Sequence, residues 1–366
     1  MWLVDCACGV GYHHVRYLNA RIQKMVEHQN LKSCSSFVAI NGPAHGPLNE
    51  RCGAEFVQKS QKPPHIFGGP ECNTIDLPFC SLDGDADRIV FHFRLPDEQD
   101  SFCLLDGDKI AVLICTFLKQ EFDALEQGIG SKSKLRFGVV QTAYANGAST
   151  AYLKSLLGIE SVLIAKTGVK YVHAAAHYYF DVGVYFEANG HGTVLFGDAF
   201  YDSLANAEKA LRGQPRGRAH LALERLRLLP PLINQAVGDA LCDMLLVDAI
   251  LYIMQWNAVT WSKLYEDYPS RQCKVKVKNR QIIETNSNET KCMAPNTVQP
   301  ALDKLMEEIA GSRTFIRPSG TEDVVRIYAE ASAQTYADIL ATKAARVVHS
   351  LCDGVGEPPE FAGHIR

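Results

Sequence analysis

Asp83-Gly84-Asp85-Ala86-Asp87-Arg88 lies between two apolar runs, Pro78-Phe79-Cys80-Ser81-Leu82 and Ile89-Val90-Phe91-His92-Phe93, and this strand-loop-strand reading decides the rest. Three carboxylates recur at every second position with only Gly and Ala between them. In an extended loop alternate residues point the same way, so the three aspartates would converge on one point. Carboxylates that close repel one another unless a hard cation sits among them, which makes a divalent metal site, best suited to Mg2+, the first expectation. Arg88 would pair with a carboxylate or with an incoming phosphate. A calcium EF-hand needs Gly at its sixth position and Glu at its twelfth; Arg88 and Arg94 stand there, so that reading fails. A D-x-D phosphatase loop with Asp83 as nucleophile, and a plain polar turn, stay open.

The chain has 366 residues, more than one core accommodates, and its length suggests two or three domains. Its 47% hydrophobic and 21% charged residues are those of an ordinary globular protein. A formal net charge of -4 gives no case for binding nucleic acid or an anionic membrane. No basic run precedes an apolar stretch at the N-terminus, where Asp5 interrupts Trp2-Leu3-Val4; a secretory signal is not visible and a cytoplasmic protein is expected. The most apolar later stretch, 236–254, carries Asp239, Asp243 and Asp248, which suits a buried helix better than a membrane span. Twelve cysteines occur without a C-x2-C pair, so they read as reduced core thiols.

Strand and helix patterns alternate along most of the chain, which argues for α/β domains. Trp2 to Cys6 reads as a strand that breaks into a glycine turn before a helix. The stretch 60–78 reads as a loop or local insertion. Asp106-Gly107-Asp108 is placed to cap a helix over 109–122. Strands are expected at 137–140, 161–165 and 181–186. Residues 213–220 read as a basic solvated loop, and helical periodicity covers 221–256. From Cys273 onward, with Val275, Val277 and Ile282, a smaller α+β domain is expected.

Two further polar loops follow strands. Glu187-Ala188-Asn189-Gly190-His191-Gly192 offers donors and acceptors suited to sugar hydroxyls and amides, with glycines that let the backbone approach a ligand. His191 has no His or Cys companion nearby in sequence, which disfavours a transition-metal site. Arg317-Pro318-Ser319-Gly320-Thr321-Glu322 combines hydroxyls, backbone N–H groups and, with Arg326, two guanidinium groups, a good cradle for phosphate. It is not a Walker loop, so nucleotide hydrolysis is unsupported. A structural glycine turn and a capped turn are the plainer readings of these two loops.

These three loops, in this order, resemble those of the α-D-phosphohexomutase superfamily, most closely its phosphoacetylglucosamine mutase family. Leu105-Asp106-Gly107-Asp108-Lys109-Ile110, Val140-Gln141-Thr142-Ala143-Tyr144-Ala145-Asn146-Gly147 and Lys166-Thr167-Gly168-Val169-Lys170 add to the likeness, which covers nearly the whole chain. The resemblance implies an α/β, phosphohexomutase-like fold, with two mixed-sheet α/β domains at 1–104 and 105–262 and a smaller C-terminal α+β domain at 263–366. It implies that Asp83, Asp85 and Asp87 bind Mg2+ and that Arg88 contacts the phosphoryl group in transfer. Glu187, Ala188, Asn189 and His191 would hold the sugar. Arg317, Pro318, Ser319, Gly320, Thr321 and Arg326 would hold the phosphate that does not react, and Lys170 would contact substrate or aid proton transfer. The implied reaction interconverts N-acetylglucosamine 6-phosphate and 1-phosphate through a phosphoserine and a bisphosphate intermediate, in UDP-N-acetylglucosamine biosynthesis.

Two departures bear on that expectation. The family's T-A-S-H-N-P nucleophile loop, which belongs to a first domain, is not found in these residues, so the chain is expected to be truncated and inactive alone. Cys8 stands where the family has Asn, and a thiol lacks an amide's paired donor and acceptor. A non-catalytic sugar-phosphate-binding protein and a D-x-D sugar phosphatase are the competing readings. Sugar phosphate is the expected partner, and loss of a domain would leave an interface for self-association.

Overall fold

Strand-forming residues flank the acidic loop on both sides, and their pairing sets the frame in which the loop sits. The computed structural model of the protein describes residues 1–30, 35–68, 77–95 and 102–360. It is a mixed α/β chain that divides into two units. The first comprises Met1–Val140, Tyr152–Leu163 and His173–Tyr265, and the second Gln141–Ala151, Ile164–Val172 and Glu266–Arg366.

In the first unit, β1 (Trp2–Asp5) runs parallel to both β2 (Phe37–Ile40) and β3 (Phe79–Leu82), and α1 (Gly11–Gln29) joins β1 to β2. After α2 (Ala54–Ser60) and β3, the chain turns back through β4 (Ile89–Arg94) and β5 (Phe102–Leu105), both antiparallel, giving the order β2-β1-β3-β4-β5. The register pairs Leu82 with Ile89, so the acidic loop is the hairpin that closes β3 on β4. A second sheet, ordered β7-β6-β8-β9, contains β6 (Phe137–Thr142), β7 (Val162–Ala165), β8 (Val182–Phe186) and β9 (Gly192–Phe196). The helices are α3 (Gly107–Ile129), α4 (Gly147–Leu157), α5 (Val169–Tyr179), α6 (Asp198–Leu211), α7 (Arg218–Leu232), α8 (Ala240–Met254) and α9 (Ala258–Ser262), the starts of α4 and α5 belonging to the second unit.

Helix α3 is the axis of this unit. Asp106 caps it by accepting from the Asp108 and Lys109 N–H groups, as the sequence suggested, and it continues past Phe122 to Ile129. Ile110, Phe117 and Leu118 join Leu82, Phe91, Val184, Phe200, Leu226 and Trp261 in one buried cluster, so both sheets share a core. Beside it, the buried Glu121 carboxylate receives Arg218 and Arg225.

Two expectations are corrected by the structure. The helical periodicity over 221–256 resolves into two helices: α7 ends at Leu232, after Pro230 and Pro231, and α8 begins at Ala240, capped by Asp239. Apolar periodicity persists through the break because both helices pack on the same core, so pattern alone joins them. Residues 213–220 are only in part a loop, since Arg218 opens α7 and reaches Glu121. Of the loop expected at 60–78, residues 69–76 lie outside the described residues.

The second unit centres on a three-stranded antiparallel sheet, ordered β10-β14-β13. Its elements in chain order are β10 (Ser270–Lys276), β11 (Glu284–Thr285), β12 (Cys292–Ala294), α10 (Val298–Glu308), β13 (Arg313–Pro318), β14 (Val324–Glu330) and α11 (Gln334–Leu351). Val275, Ile316, Ile327 and Val348 form its core, with α11 against the sheet. Among the described residues, no helix is long and apolar enough to cross a membrane.

Candidate functional site

The acidic loop reaches convergence differently from the extended geometry that its spacing suggests. It is a tight turn: the Ala86 N–H donates to the Asp83 carbonyl at 3.2 Å, and Ala86 sits in the left-handed region at φ 60°. Asp83 Oδ1 accepts from the Asp87 and Arg88 N–H groups at 3.0 and 3.1 Å. The turn therefore folds the second half of the loop back over the first. One carboxylate oxygen from each of Asp83, Asp85 and Asp87 then lies within 4.8 Å of the others.

The electrostatics of this cluster are set by three carboxylates held close together. Burial, then the hydrogen bond and charge of Asp87, push the Asp83 carboxyl up to about 7, against the pull of the Arg88 N–H. Arg88 Nε stands 3.6 Å from both Asp83 Oδ2 and Asp87 Oδ1, close enough to offset charge and too far for hydrogen bonds. A hard divalent cation fits such a donor set, all carboxylate oxygen on one tight turn.

The second polar loop is knitted onto the first. It is the hairpin between β8 and β9, closed by Glu187 N–H to the His191 carbonyl at 2.8 Å and Gly190 N–H to the Glu187 carbonyl at 2.9 Å. Asn189 Oδ1 accepts from the His191 N–H at 3.0 Å. The Gly190 carbonyl accepts from Ile89 N–H at 3.1 Å, and the Ala188 carbonyl from Gln58 Nε2 at 3.2 Å. Gly190 has φ +88°, and a Cβ there would fall 2.0 Å from the Ile89 carbonyl oxygen. The missing side chain of Gly190 thus serves the close approach of two backbones. His191 is buried, and its Nδ1 lies 3.0 Å from the Asp87 carbonyl and 3.3 Å from Asp87 Oδ2.

A third segment supports the acidic loop from the end of β1. The buried Asp5 carboxylate accepts from Ala7 N–H, Asn41 Nδ2 and Gly53 N–H at 3.1, 2.8 and 2.6 Å, and from the Ser81 hydroxyl. Ser81 Oγ in turn meets Nε2 of His92, which burial holds neutral by lowering its pKa to about 3. Asp, Ser and His are thus linked, but all three are enclosed, so this chain braces the strands. The turn it anchors places Gly9 against Gly84, and Val10 N–H donates to the Gly84 carbonyl at 3.0 Å. Cys8 does not leave this turn unsupported: its N–H donates to the Asn41 carbonyl at 2.8 Å, and its sulfur meets the Cys52 thiol and the Gly46 N–H.

In the second unit, Arg317-Pro318-Ser319-Gly320-Thr321-Glu322 spans the end of β13 and the turn toward β14. Ser319 is buried; its N–H donates to the Val324 carbonyl at 2.9 Å, and its Oγ accepts from Thr321 and Glu322 N–H at 3.4 Å. Arg317 and Arg326 are register partners, which sets both guanidinium-bearing side chains on one face. Arg317 Nε is held 2.9 Å from the buried Glu289, which also accepts from Thr167 N–H at 3.0 Å. Arg280 Nη2 donates to the Gly320 carbonyl at 3.1 Å. Lys170, in the first turn of α5, has its Nζ 4.8 Å from the Tyr171 ring centre.

Of the residues expected from sequence, Asp83, Asp85, Asp87, Arg88, Glu187, Ala188, Asn189 and His191 are brought together in the first unit. Lys170, Arg317, Pro318, Ser319, Gly320, Thr321 and Arg326 belong to the second. Sequence reading missed Asp5, Arg280 and Glu289, whose partners lie far along the chain. It also missed the break before α8, although Gly238-Asp239 is an N-cap signal.

Comparison with known proteins identifies the family. Residues 106–256 match the model of "Phosphoacetylglucosamine mutase AMG1, domain III", and 274–346 that of "Phosphoglucomutase/phosphomannomutase, C-terminal domain". Phosphoacetylglucosamine mutase of Arabidopsis thaliana is 46% identical over 95% of the chain, and that of Homo sapiens 43% over 98%. The chain spans 60% and 61% of the length of those two relatives. The crystal structure of Aspergillus fumigatus N-acetylphosphoglucosamine mutase with GlcNAc-6P and magnesium superposes with a TM-score of 0.80 at 40% identity, covering 96% of this chain and 61% of that one. An N-acetylglucosamine-phosphate mutase product complex gives 0.78 at 38%, covering 95% and 61%. On these grounds the chain belongs to the α-D-phosphohexomutase superfamily, within its phosphoacetylglucosamine mutase family.

Proposed function

We propose that the chain binds Mg2+ and N-acetylglucosamine phosphate and takes part in interconverting the 6- and 1-phosphates. The observation that carries this reading is the acidic turn laced to the 187–192 hairpin through Ile89, Gly190 and His191. Asp83, Asp85 and Asp87 would hold the ion. Two oxygens at about 2.1 Å from Mg2+ stand at most about 4.2 Å apart, so a small closing movement of the cluster suffices. When bound, the ion offsets negative charge that develops on the phosphoryl group. Arg88 would lie over the same charge, and Glu187, Asn189 and His191 would orient the sugar. The turn at 317–322, with Arg326, would anchor the phosphate that is not reacting, recognising phosphate at either end of the sugar. Lys170 would contact substrate. Domain limits at 1–104, 105–262 and 263–366 belong to the same proposal.

A reversible phosphoryl donor has no evident candidate among these residues; Ser319, for one, is committed to its own turn. The chain by itself is therefore proposed to bind but to turn over slowly or not at all. Calorimetric titration with MgCl2 and then N-acetylglucosamine 6-phosphate is expected to show both binding events. Radiolabelled glucose 1,6-bisphosphate should leave no acid-stable phosphoserine. Stoichiometric serine labelling would overturn the claim about the donor. Steady phosphate release abolished by Asp83→Asn would replace the mutase reading with a phosphatase.

A further inference from the structure

The break between α7 and α8 is held on two sides. On one side, Thr193 Oγ1 donates to the Asn234 carbonyl at 2.9 Å, and Phe196 N–H donates to Gln235 Oε1 at 2.8 Å, so the turn is fixed to β9. Asn234 Oδ1 accepts from Ala236 and Val237 N–H, and Asp239 Oδ1 from Leu241 and Cys242 N–H, which sets its internal shape. On the other side, Ala240 N–H donates to the Ala86 carbonyl of the acidic turn at 3.0 Å. Between these anchors, Gly238 faces the His191 ring: a Cβ there would stand 2.5 Å from Cε1, 2.8 Å from Nδ1 and 2.9 Å from Nε2.

Gly238 lies outside the left-handed region, so its backbone does not demand glycine. What demands glycine is the imidazole. With the ring seated against Gly238, Nδ1 reaches both the carbonyl and the carboxylate of Asp87. Carbon atoms in contact prefer about 3.5–4.0 Å, so a methyl group would have to displace the ring by about 1 Å. The backbone cannot yield easily, because β9 holds one end and the acidic turn the other.

We propose that Gly238 is a positioning residue: the space left by its missing side chain seats His191 against Asp87 and so sets the acidic turn. This rests on the metal-and-sugar reading above, but its test separates the two. MgCl2 is titrated calorimetrically into the whole chain, its Gly238→Ala and His191→Ala variants, and the double variant. Gly238→Ala is expected to weaken Mg2+ binding at least tenfold in the parent chain and less than twofold in the His191→Ala background. An equal loss in both backgrounds, or none in the parent chain, overturns the proposal. Should Gly238→Ala alone fail to fold, the double variant is expected to fold, since the clashing ring is gone; failure of both would again overturn it. A parent chain that binds no Mg2+ refutes the metal reading alone. The His191 Cε1 proton, read by NMR at fixed pH, must then still move in Gly238→Ala, and an unmoved resonance sinks the proposal.

Discussion

Asp83 shows how one residue carries both fold and site. Its Oδ1 holds the turn by accepting two backbone N–H groups, while Oδ2 faces Arg88 in a cluster that includes Asp85 and Asp87. Its pKa is raised to about 7, mainly by burial and then by Asp87, so between the ordinary carboxylate value and about 7 the folded chain holds a proton that the unfolded chain has lost. Asp83 therefore contributes stability at low pH that is lost as pH rises through about 7. Without added metal, the thermal midpoint should fall across this interval, and saturating Mg2+ should recover most of the loss at pH 7.5. A Tm that rises over the same interval, or ignores Mg2+, would contradict the assignment. Asp83→Asn should flatten the pH dependence and weaken Mg2+ binding at least tenfold, measured by the same calorimetry.

At the scale of elements, the site depends on segments that touch it only through backbone. The β1 turn, the β8–β9 hairpin and the turn before α8 each contribute one main-chain hydrogen bond to the acidic loop, from Val10 to Gly84, from Ile89 to Gly190 and from Ala240 to Ala86. Asp5 is the hub of the first. Asp5→Asn would turn one acceptor oxygen into a donor facing N–H groups, and an unsatisfied buried polar group costs about 1–3 kcal/mol. Ala7 N–H donates to one oxygen and Gly53 N–H to the other, so one of them is left facing the new donor, and a loss of about 1–3 kcal/mol is expected in urea unfolding, together with weaker Mg2+ binding. Unchanged stability would show that Asp5 is not a hub. This scale was the least legible from sequence. The acidic, sugar and phosphate loops stand out by residue type, whereas Asp5 and Gly238 matter chiefly through partners tens of positions away. The α7–α8 break was hidden because its flanking apolar periodicity is continuous.

For the molecule as a whole, division into two units predicts that its two charged sites respond separately. Arg317 is tied to Glu289 and sits across the hairpin from Arg326, all within the second unit, while the acidic turn belongs to the first. Removing a charged hydrogen-bond donor costs about 1.5–3 kcal/mol, so Arg317→Ala should weaken N-acetylglucosamine 6-phosphate binding by about tenfold to a hundredfold. Mg2+ affinity, titrated without sugar phosphate, should change less than twofold, because the printed partners of Arg317 belong to the second unit. Matched losses in both titrations would show that the units do not act independently.

Sequence alone determined the chemistry on offer: an acidic hairpin between two apolar strands, two further polar loops after strands, and an α/β pattern with a capped α3. Those features are local, set by residue type, strand flanks and N-cap spacing, so they survive without a partner. Tertiary structure decided how the aspartates meet, through a left-handed turn at Ala86 rather than an extended strand. It also decided what holds them there: Asp5, Gly190 and the Gly238–Ala240 turn. These depend on backbone segments that approach within hydrogen-bonding distance only after the sheets and α3 have packed, and no periodicity in the chain encodes such an approach.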